Sequence, residues 1–132
     1  MVVDYGLARR ATLADLFSGG LTVDDACDAH PYLLRAAKYH GEPTEVRCPV
    51  CDSDAMVNLH YTFGDQLGQY SGRIKRIAEL EEMQSLFGEF KVVVVEVCPD
   101  CGWNHMITSY LLGDGVKRKP PRRQQTVEDI YG

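Results

Sequence analysis

The chain has 132 residues, of which 45% are hydrophobic and 25% are charged, and its formal net charge is −5. Its longest aliphatic run, residues 92–95, is far shorter than the roughly 20 residues that span a bilayer. The sequence does not begin with the basic and then apolar segment that is typical of a secretory signal. The body before residue 114 carries a formal charge of −7, because it holds sixteen acidic and nine basic residues. Because the chain has neither a span nor a signal, we expect a cytoplasmic protein without a membrane partner. The acidic body repels phosphate, which argues against the folded part as a general nucleic-acid binder.

Residues 1–43 are predicted to form two or three short helices. Helix-spaced apolar residues fill 7–17, and Thr22 is a candidate N-cap for a second helix. A third helix opens at Pro31 and ends before Gly41. Helices this short are unstable alone, so they must pack on the rest of the chain.

Residues 44–113 are predicted to form a three-stranded antiparallel sheet with a helix inserted between the first two strands. Apolar and polar residues alternate in the first strand, and the second is rich in valine. The first predicted strand is 57–63, and a loop over 64–72 leads to the inserted helix at 73–87. The second and third strands are 90–97 and 103–112. The predicted fold class is therefore α+β, with N-terminal helices packed on the sheet.

Residues 114–132 form a basic tail that is rich in Gly, Pro and Gln and that we predict to be disordered in the isolated protein. Its cations are candidates for contact with nucleic acid or an acidic partner, namely Lys117, Arg118, Lys119, Arg122 and Arg123. A solubilising terminus is the alternative.

Two cysteine pairs of the form Cys-Pro-x-Cys predict a single metal site. The pairs are Cys48 with Cys51 and Cys98 with Cys101, and the two intervening residues let a tight turn aim both sulfurs at one point. Four thiolates suit tetrahedral Zn²⁺ with bonds of about 2.3 Å, and they leave no open position for catalysis. A redox dithiol is the alternative, but no strand–CxxC–helix arrangement follows either pair. We therefore predict one structural Zn²⁺ and no catalytic residue.

Four further residues carry predictions. Gly102 follows the second pair, where a positive φ is often needed, and Asp52 occupies the matching position after the first. Cys27 belongs to no pair and is predicted to be a small buried side chain, not a ligand or nucleophile. His105 either supports the metal site or is a satisfied strand histidine. The sequence holds no phosphate-binding glycine loop or nucleophile with a base, so we expect no enzyme and no small-molecule substrate.

Parts of the chain resemble an actinobacterial family known only as a domain of unknown function. The resemblance rests on CDAHPYLLRAA at 27–37, GEPT at 41–44, CPVC at 48–51 and VEVCPDCGWNH at 95–105. It covers residues 4–113 and leaves the tail outside. It implies a zinc ribbon, a bacterial cytoplasm and no established activity.

The leading functional hypothesis is an accessory factor that binds bacterial RNA polymerase through protein contacts and modulates transcription, with the tail adding an electrostatic contact. The alternative is a ribosome- or RNA-associated zinc ribbon. That alternative would use cations and exposed aromatics, namely Arg73, Lys75, Arg76, Tyr61 and Trp103, although packing over the cysteine turn is the simpler role for Trp103. An oligomeric scaffold also stays open, through Phe87, Phe90 and the valine-rich strand. We favour RNA polymerase over the ribosome.

Overall fold

The computed structural model describes residues 2–116 as an α+β fold in which helices cover an antiparallel sheet. The strands are β1 (Val2–Asp4), β2 (Glu42–Pro43), β3 (Val57–Phe63), β4 (Arg73–Ile74), β5 (Phe90–Val97) and β6 (Asn104–Leu112). The helices are α1 (Gly6–Phe17), α2 (Val23–Ala26), α3 (Pro31–His40) and α4 (Ile77–Leu86), with a 3₁₀ segment over Asp65–Tyr70. The five tail cations predicted as contact residues lie outside the described residues.

The sheet has six strands in the order β1-β6-β5-β3-β2, with β4 also paired to β3, and every pairing is antiparallel. The three predicted strands are its centre, β3, β5 and β6. The predicted count of three is wrong because three short strands add to the edges. These strands have two or three residues each, too few to show a period of two, and they form because a neighbouring strand offers free backbone groups.

The inserted helix is shorter than predicted. It begins at Ile77 and not at residue 73, since Arg73 and Ile74 pair with β3. The backbone amide of Arg76 donates to Glu79 Oε1 at 3.0 Å, which caps the new start. Leu80 is buried as predicted, but Ile77 is 51% exposed. The predicted loop before this helix contains the 3₁₀ segment.

The N-terminal helices form where predicted. Thr22 Oγ1 accepts from the amide of Asp25 at 3.1 Å, and Asp25 Oδ2 accepts from the amide of Thr22 at 3.4 Å, so α2 opens with a capping box. Pro31 is the first residue of α3. In addition, β1 and β2 bracket these helices and pair with the sheet. No helix within residues 2–116 is both long and apolar enough to cross a membrane.

The two faces of the sheet are covered by different helices. On one face, which we call the α3 face, Leu59 and Val97 pack with Ala37 of α3. On the opposite face, the α4 face, Val92 and Val94 pack with helix α4 and the 3₁₀ segment. A third cluster lies at the cysteine end of the sheet and joins helices α1 and α2 to the cysteines; its buried members are Leu16, Ala26, Cys48, Met56, Cys98 and Trp103.

Candidate metal centre

Two turns of the same construction carry the cysteine pairs. In the first, the amide of Cys48 donates to the carbonyl of Ser53 at 2.9 Å, and the amide of Asp52 donates to the carbonyl of Cys48 at 3.0 Å. In the second turn, Cys98 bonds to Trp103 and Gly102 to Cys98 in the same pattern, both at 2.8 Å. We call residues 48–53 and 98–103 the first and second cysteine turns. Their matching hydrogen bonds aim both sulfurs of each pair inward.

Asp52 and Gly102 occupy the matching left-handed position of the two turns. Their φ angles are 62° and 89°, so the predicted need for positive φ is confirmed at both. Asp tolerates this region better than most residues. Arg47 supports it, because its Nε donates to Asp52 Oδ1 at 2.9 Å and its guanidinium also donates to the carbonyl of Asp52.

The four predicted ligand sulfurs lie together. The Sγ atoms of Cys48, Cys51, Cys98 and Cys101 are all within 4.8 Å of one another. The Cys48–Cys101 and Cys51–Cys98 sulfur pairs are both 3.6 Å apart. A tetrahedral ion with metal–sulfur bonds of about 2.3 Å requires sulfur–sulfur edges of about 3.8 Å. The four cysteines therefore fit a single metal ion, and among residues 2–116 they are the one group of this kind.

Burial makes the thiolate forms costly without a cation. It raises the pKa of Cys48 to about 11 and that of Cys101 to about 12, and it also raises the pKa of Cys98. Cys51 is exposed, and a hydrogen bond from the backbone of Ser53 lowers its pKa. Backbone amides also point at the sulfurs, as those of Val50 and Trp103 do at Cys48 and Cys101. A bound cation would supply the missing positive charge, so metal binding would release protons.

An ion pair between half-buried Arg9 and buried Glu96 supports the second cysteine turn. Trp103 is 1% exposed, and its indole Nε1 donates to Glu96 Oε1 at 3.2 Å. Arg9 Nε from α1 donates to the same oxygen. The packing role of Trp103 over the cysteine turn is thus confirmed, and its indole is not available for stacking on bases.

Cys27 lies in contact with the cluster, which the sequence analysis missed. It is half-buried, and its Sγ is 3.6 Å from Cys101 Sγ. The backbone holds it there, since the amide of Ala29 donates to the carbonyl of Gly102 at 3.1 Å. No sequence spacing pointed to this contact, because 74 residues separate Cys27 from Cys101.

The histidines are not part of the four-cysteine group. His105 stacks on Trp103, with ring centroids 5.8 Å apart, and its Nδ1 is 2.7 Å from the carbonyl of Met106, so it is a satisfied strand histidine. His60 is buried on the α4 face, and its Nδ1 lies 3.0 Å from Glu42 Oε2 without the alignment of a hydrogen bond. Burial lowers the pKa of His60, and the charge of Glu42 opposes that shift.

Comparison with known proteins places the chain in a family. The model of a family of unknown function, DUF5318, matches residues 1–126. Uncharacterized proteins from Mycobacterium bovis and from two strains of Mycobacterium tuberculosis are each 47% identical over 120 residues, which cover 91% of this chain and 88% of the relative. No solved structure matches the chain significantly. The resemblance to an actinobacterial family is confirmed, and the family match extends past Gly113 through the basic stretch of the tail. The chain belongs to the family of unknown function DUF5318.

Proposed function

We propose that the four clustered cysteines bind one structural zinc ion, and that the protein is a non-enzymatic zinc-ribbon factor that docks on bacterial RNA polymerase. The observation that carries the first part is the closed set of four sulfurs at tetrahedral spacing. The ribbon would be formed by β3, β5 and β6 with the two cysteine turns at one end. The second part rests on the apolar surface described below and on analogy with other zinc ribbons.

The four cysteine ligands support a structural zinc ion and not a catalytic one. Four thiolates complete a tetrahedral shell and leave no position for substrate or activated water. Tetrahedral sulfur sites select zinc or iron, so metal analysis must separate these two. Three of the four cysteines are buried or half-buried, as befits a metal that replaces part of a core.

A paired substitution tests the zinc site. Cys48→Ser removes a ligand, whereas Cys27→Ser removes the one cysteine outside the group of four and serves as the matched control. We expect one zinc per chain in the wild type and in Cys27→Ser, and loss of zinc with lower stability in Cys48→Ser, measured by elemental mass spectrometry and urea unfolding. Stable, metal-free wild-type protein, or iron in place of zinc, would contradict the assignment.

The α3 face offers a surface for a protein partner. Helix α3 covers one end of this face, around Leu59 and Val97. Beyond it the strand register sets Phe63 beside Lys91 and Lys91 beside Leu111. Phe63 and Leu111 are 40% and 44% exposed, and Tyr61 stacks against Phe63 with ring centroids 6.4 Å apart. Apolar side chains grouped on an uncovered sheet face are typical of interaction surfaces.

RNA polymerase is the proposed partner because zinc ribbons in transcription machinery present a rigid sheet to a large protein assembly. This is an analogy at the level of fold. The acidic body favours protein over phosphate as the main contact, and the basic tail would add a contact that depends on salt.

Affinity purification of the tagged full-length chain from its native cells, with nuclease and moderate salt, tests the partner. We expect near-stoichiometric polymerase subunits with the wild type and with Leu86→Ser, an exposed apolar control on α4, and their loss with Phe63→Ser at unchanged zinc content. Removal of residues 117–132 should weaken binding and flatten its salt dependence. Recovery of polymerase with Phe63→Ser would contradict the docking surface, and recovery of the chain alone would contradict the partner.

Association with the ribosome or RNA is the second candidate, and one observation favours it. Tyr61, Arg73 and Lys75 line one open cleft of about 490 Å³. Two of these groups are already engaged, since Lys75 Nζ is 3.7 Å from Glu79 Oε2 and Arg73 lies 4.9 Å over the ring of Tyr70. Co-sedimentation with ribosomes that survives high salt and is lost in Arg73→Ala would support this candidate over the polymerase.

A further inference from the structure

The five cysteines form one sulfur cluster in which Cys27 is the odd member. Its Sγ is as close to Cys101 as the paired ligands are to each other, 3.6 Å in each case. It is nevertheless outside the group whose sulfurs all lie within 4.8 Å. A metal on those four cysteines therefore leaves Cys27 as a free thiol that donates to the metal-bound sulfur of Cys101.

The contact is held in place by the backbone. The linker from α2 to α3 lies against the second cysteine turn, where a Cβ on Gly102 would be 2.8 Å from the carbonyl oxygen of Cys27. Asn104 Nδ2 donates to Asp28 Oδ1 at 3.1 Å on the same linker. Glycine at 102 is thus needed for close approach as well as for its φ angle, and the linker holds Cys27 beside Cys101.

We propose that Cys27 and Cys101 are an oxidative modification site at which a hydroperoxide forms a disulfide and releases the metal. This inference rests on the proposed zinc site. A disulfide requires the two sulfurs to close from 3.6 Å to about 2.05 Å. Cys101 would then be lost as a ligand, which breaks the closed four-ligand shell of a structural zinc site and opens one position to water.

The chemistry balances with one peroxide. The Cys101 thiolate attacks hydrogen peroxide and the oxygen–oxygen bond breaks, which gives the sulfenic acid of Cys101 and hydroxide. The bond between Cys101 and the metal is lost in this step. The Cys27 sulfur then attacks the sulfenic sulfur, and its proton leaves with the hydroxyl group as water. The two cysteines lose two electrons and the peroxide gains them, so no further oxidant is needed.

Cys27 is better placed for the second step than any of the four ligands. Cys51 is the most exposed of the four, but its neighbour Cys98 is fully buried. A disulfide between those two requires a second metal–sulfur bond to break. Cys27 has no bond to the metal that must break. Its sulfur already lies next to that of Cys101, which raises the rate of the second, intramolecular step.

Peptide mapping of the zinc-loaded full-length chain tests the inference. The reduced protein is analysed for zinc, treated with stoichiometric hydrogen peroxide, alkylated and mapped without reduction, while a chromogenic chelator follows released zinc. We expect a peptide linked through Cys27 and Cys101, and zinc release from Cys27→Ser that is slower by on the order of tenfold. Cys27→Ala is the second variant, in case serine disturbs the cluster.

The outcomes separate the two proposals. Zinc absent before oxidation would contradict the proposed function. Zinc present, but with crosslinks only among the four ligands or with equal release from wild type and both Cys27 variants, would overturn this inference alone. A Cys27–Cys101 link together with slower release in the variants would support it.

Discussion

Replacement of Gly102 by alanine should disrupt the contact between the α2–α3 linker and the second cysteine turn. Gly102 has φ 89°, and a Cβ there would be 2.8 Å from the carbonyl oxygen and 3.3 Å from the carbonyl carbon of Cys27. Both atoms belong to the backbone, so the linker itself must move. Gly19 is the matched control, because its φ is 87° and a Cβ there meets nothing within 4 Å.

The expected magnitude follows from the difference between the two glycines. At either position alanine in the left-handed region costs about 1 kcal/mol, and part of this is offset by the lower entropy of the unfolded chain. At Gly102 the overlap adds about 1–2 kcal/mol, and strain on the hydrogen bond from the Ala29 amide adds up to about 1 kcal/mol. We therefore expect Gly102→Ala to cost about 1–3 kcal/mol more than Gly19→Ala.

Urea unfolding of both variants at saturating zinc, followed by circular dichroism, measures this difference. With an m-value of about 2 kcal/mol/M, the midpoint of Gly102→Ala should lie roughly 0.5–1.5 M below that of Gly19→Ala. Equal urea midpoints for the two variants would show that the linker is not in close contact with the second cysteine turn at Gly102. The structural basis for the position of Cys27 beside Cys101 would then fail as well.

Two further substitutions, each with an exposed control, test the ion pair at Glu96 and the buried His60. Arg9→Ala leaves the Glu96 carboxylate, which is 3% exposed, without its ion-pair partner and should lower the free energy of unfolding in urea by about 3 kcal/mol. The control Arg10→Ala, at an exposed position, should stay within about 0.5 kcal/mol of wild type. Similar losses in both variants would contradict a stabilising ion pair at Glu96. Burial lowers the pKa of His60 below its ordinary value of 6.5, so the unfolded chain binds more protons between the two values. The contribution of His60 to the free energy of unfolding should therefore fall as the pH is lowered through that window and level off below the folded pKa. His60→Gln should remove this slope and the exposed His40→Gln should keep it, and equal slopes in both would contradict the argument.

Two of the three long strands could be predicted to the residue, one from its alternation over seven positions and the other from its run of valines. The observed strands Val57–Phe63 and Phe90–Val97 match the prediction at both ends. The edge strands escaped prediction for a physical reason. A strand of two or three residues is specified by its neighbour's free backbone groups and not by its own pattern. The same effect moved the start of the inserted helix, since pairing with β3 outweighed helix propensity at Arg73 and Ile74.

Only part of the metal centre could be predicted, because some of its contacts are between residues close in sequence and others are between distant residues. The spacing within each cysteine pair fixes a local turn, so the four clustered cysteines and the positive φ of Asp52 could be predicted. The contact of Cys27 with Cys101 depends on how helices α1 and α2 pack against the cysteine end of the sheet. No local pattern encodes that packing. The odd cysteine count was the only hint.

The distribution of the core indicates what a metal would stabilise in this chain. Structural zinc contributes on the order of 10 kcal/mol in small zinc peptides that have no other core. Here the cluster on the α4 face contains no cysteine, and its members Phe90 and Val92 are 1% and 0% exposed. The cluster at the opposite end combines Leu16 and Ala26 with the cysteines. Metal binding should therefore act chiefly on the cysteine turns and the docking of α1 and α2, while β5 and α4 keep a core that the metal does not touch.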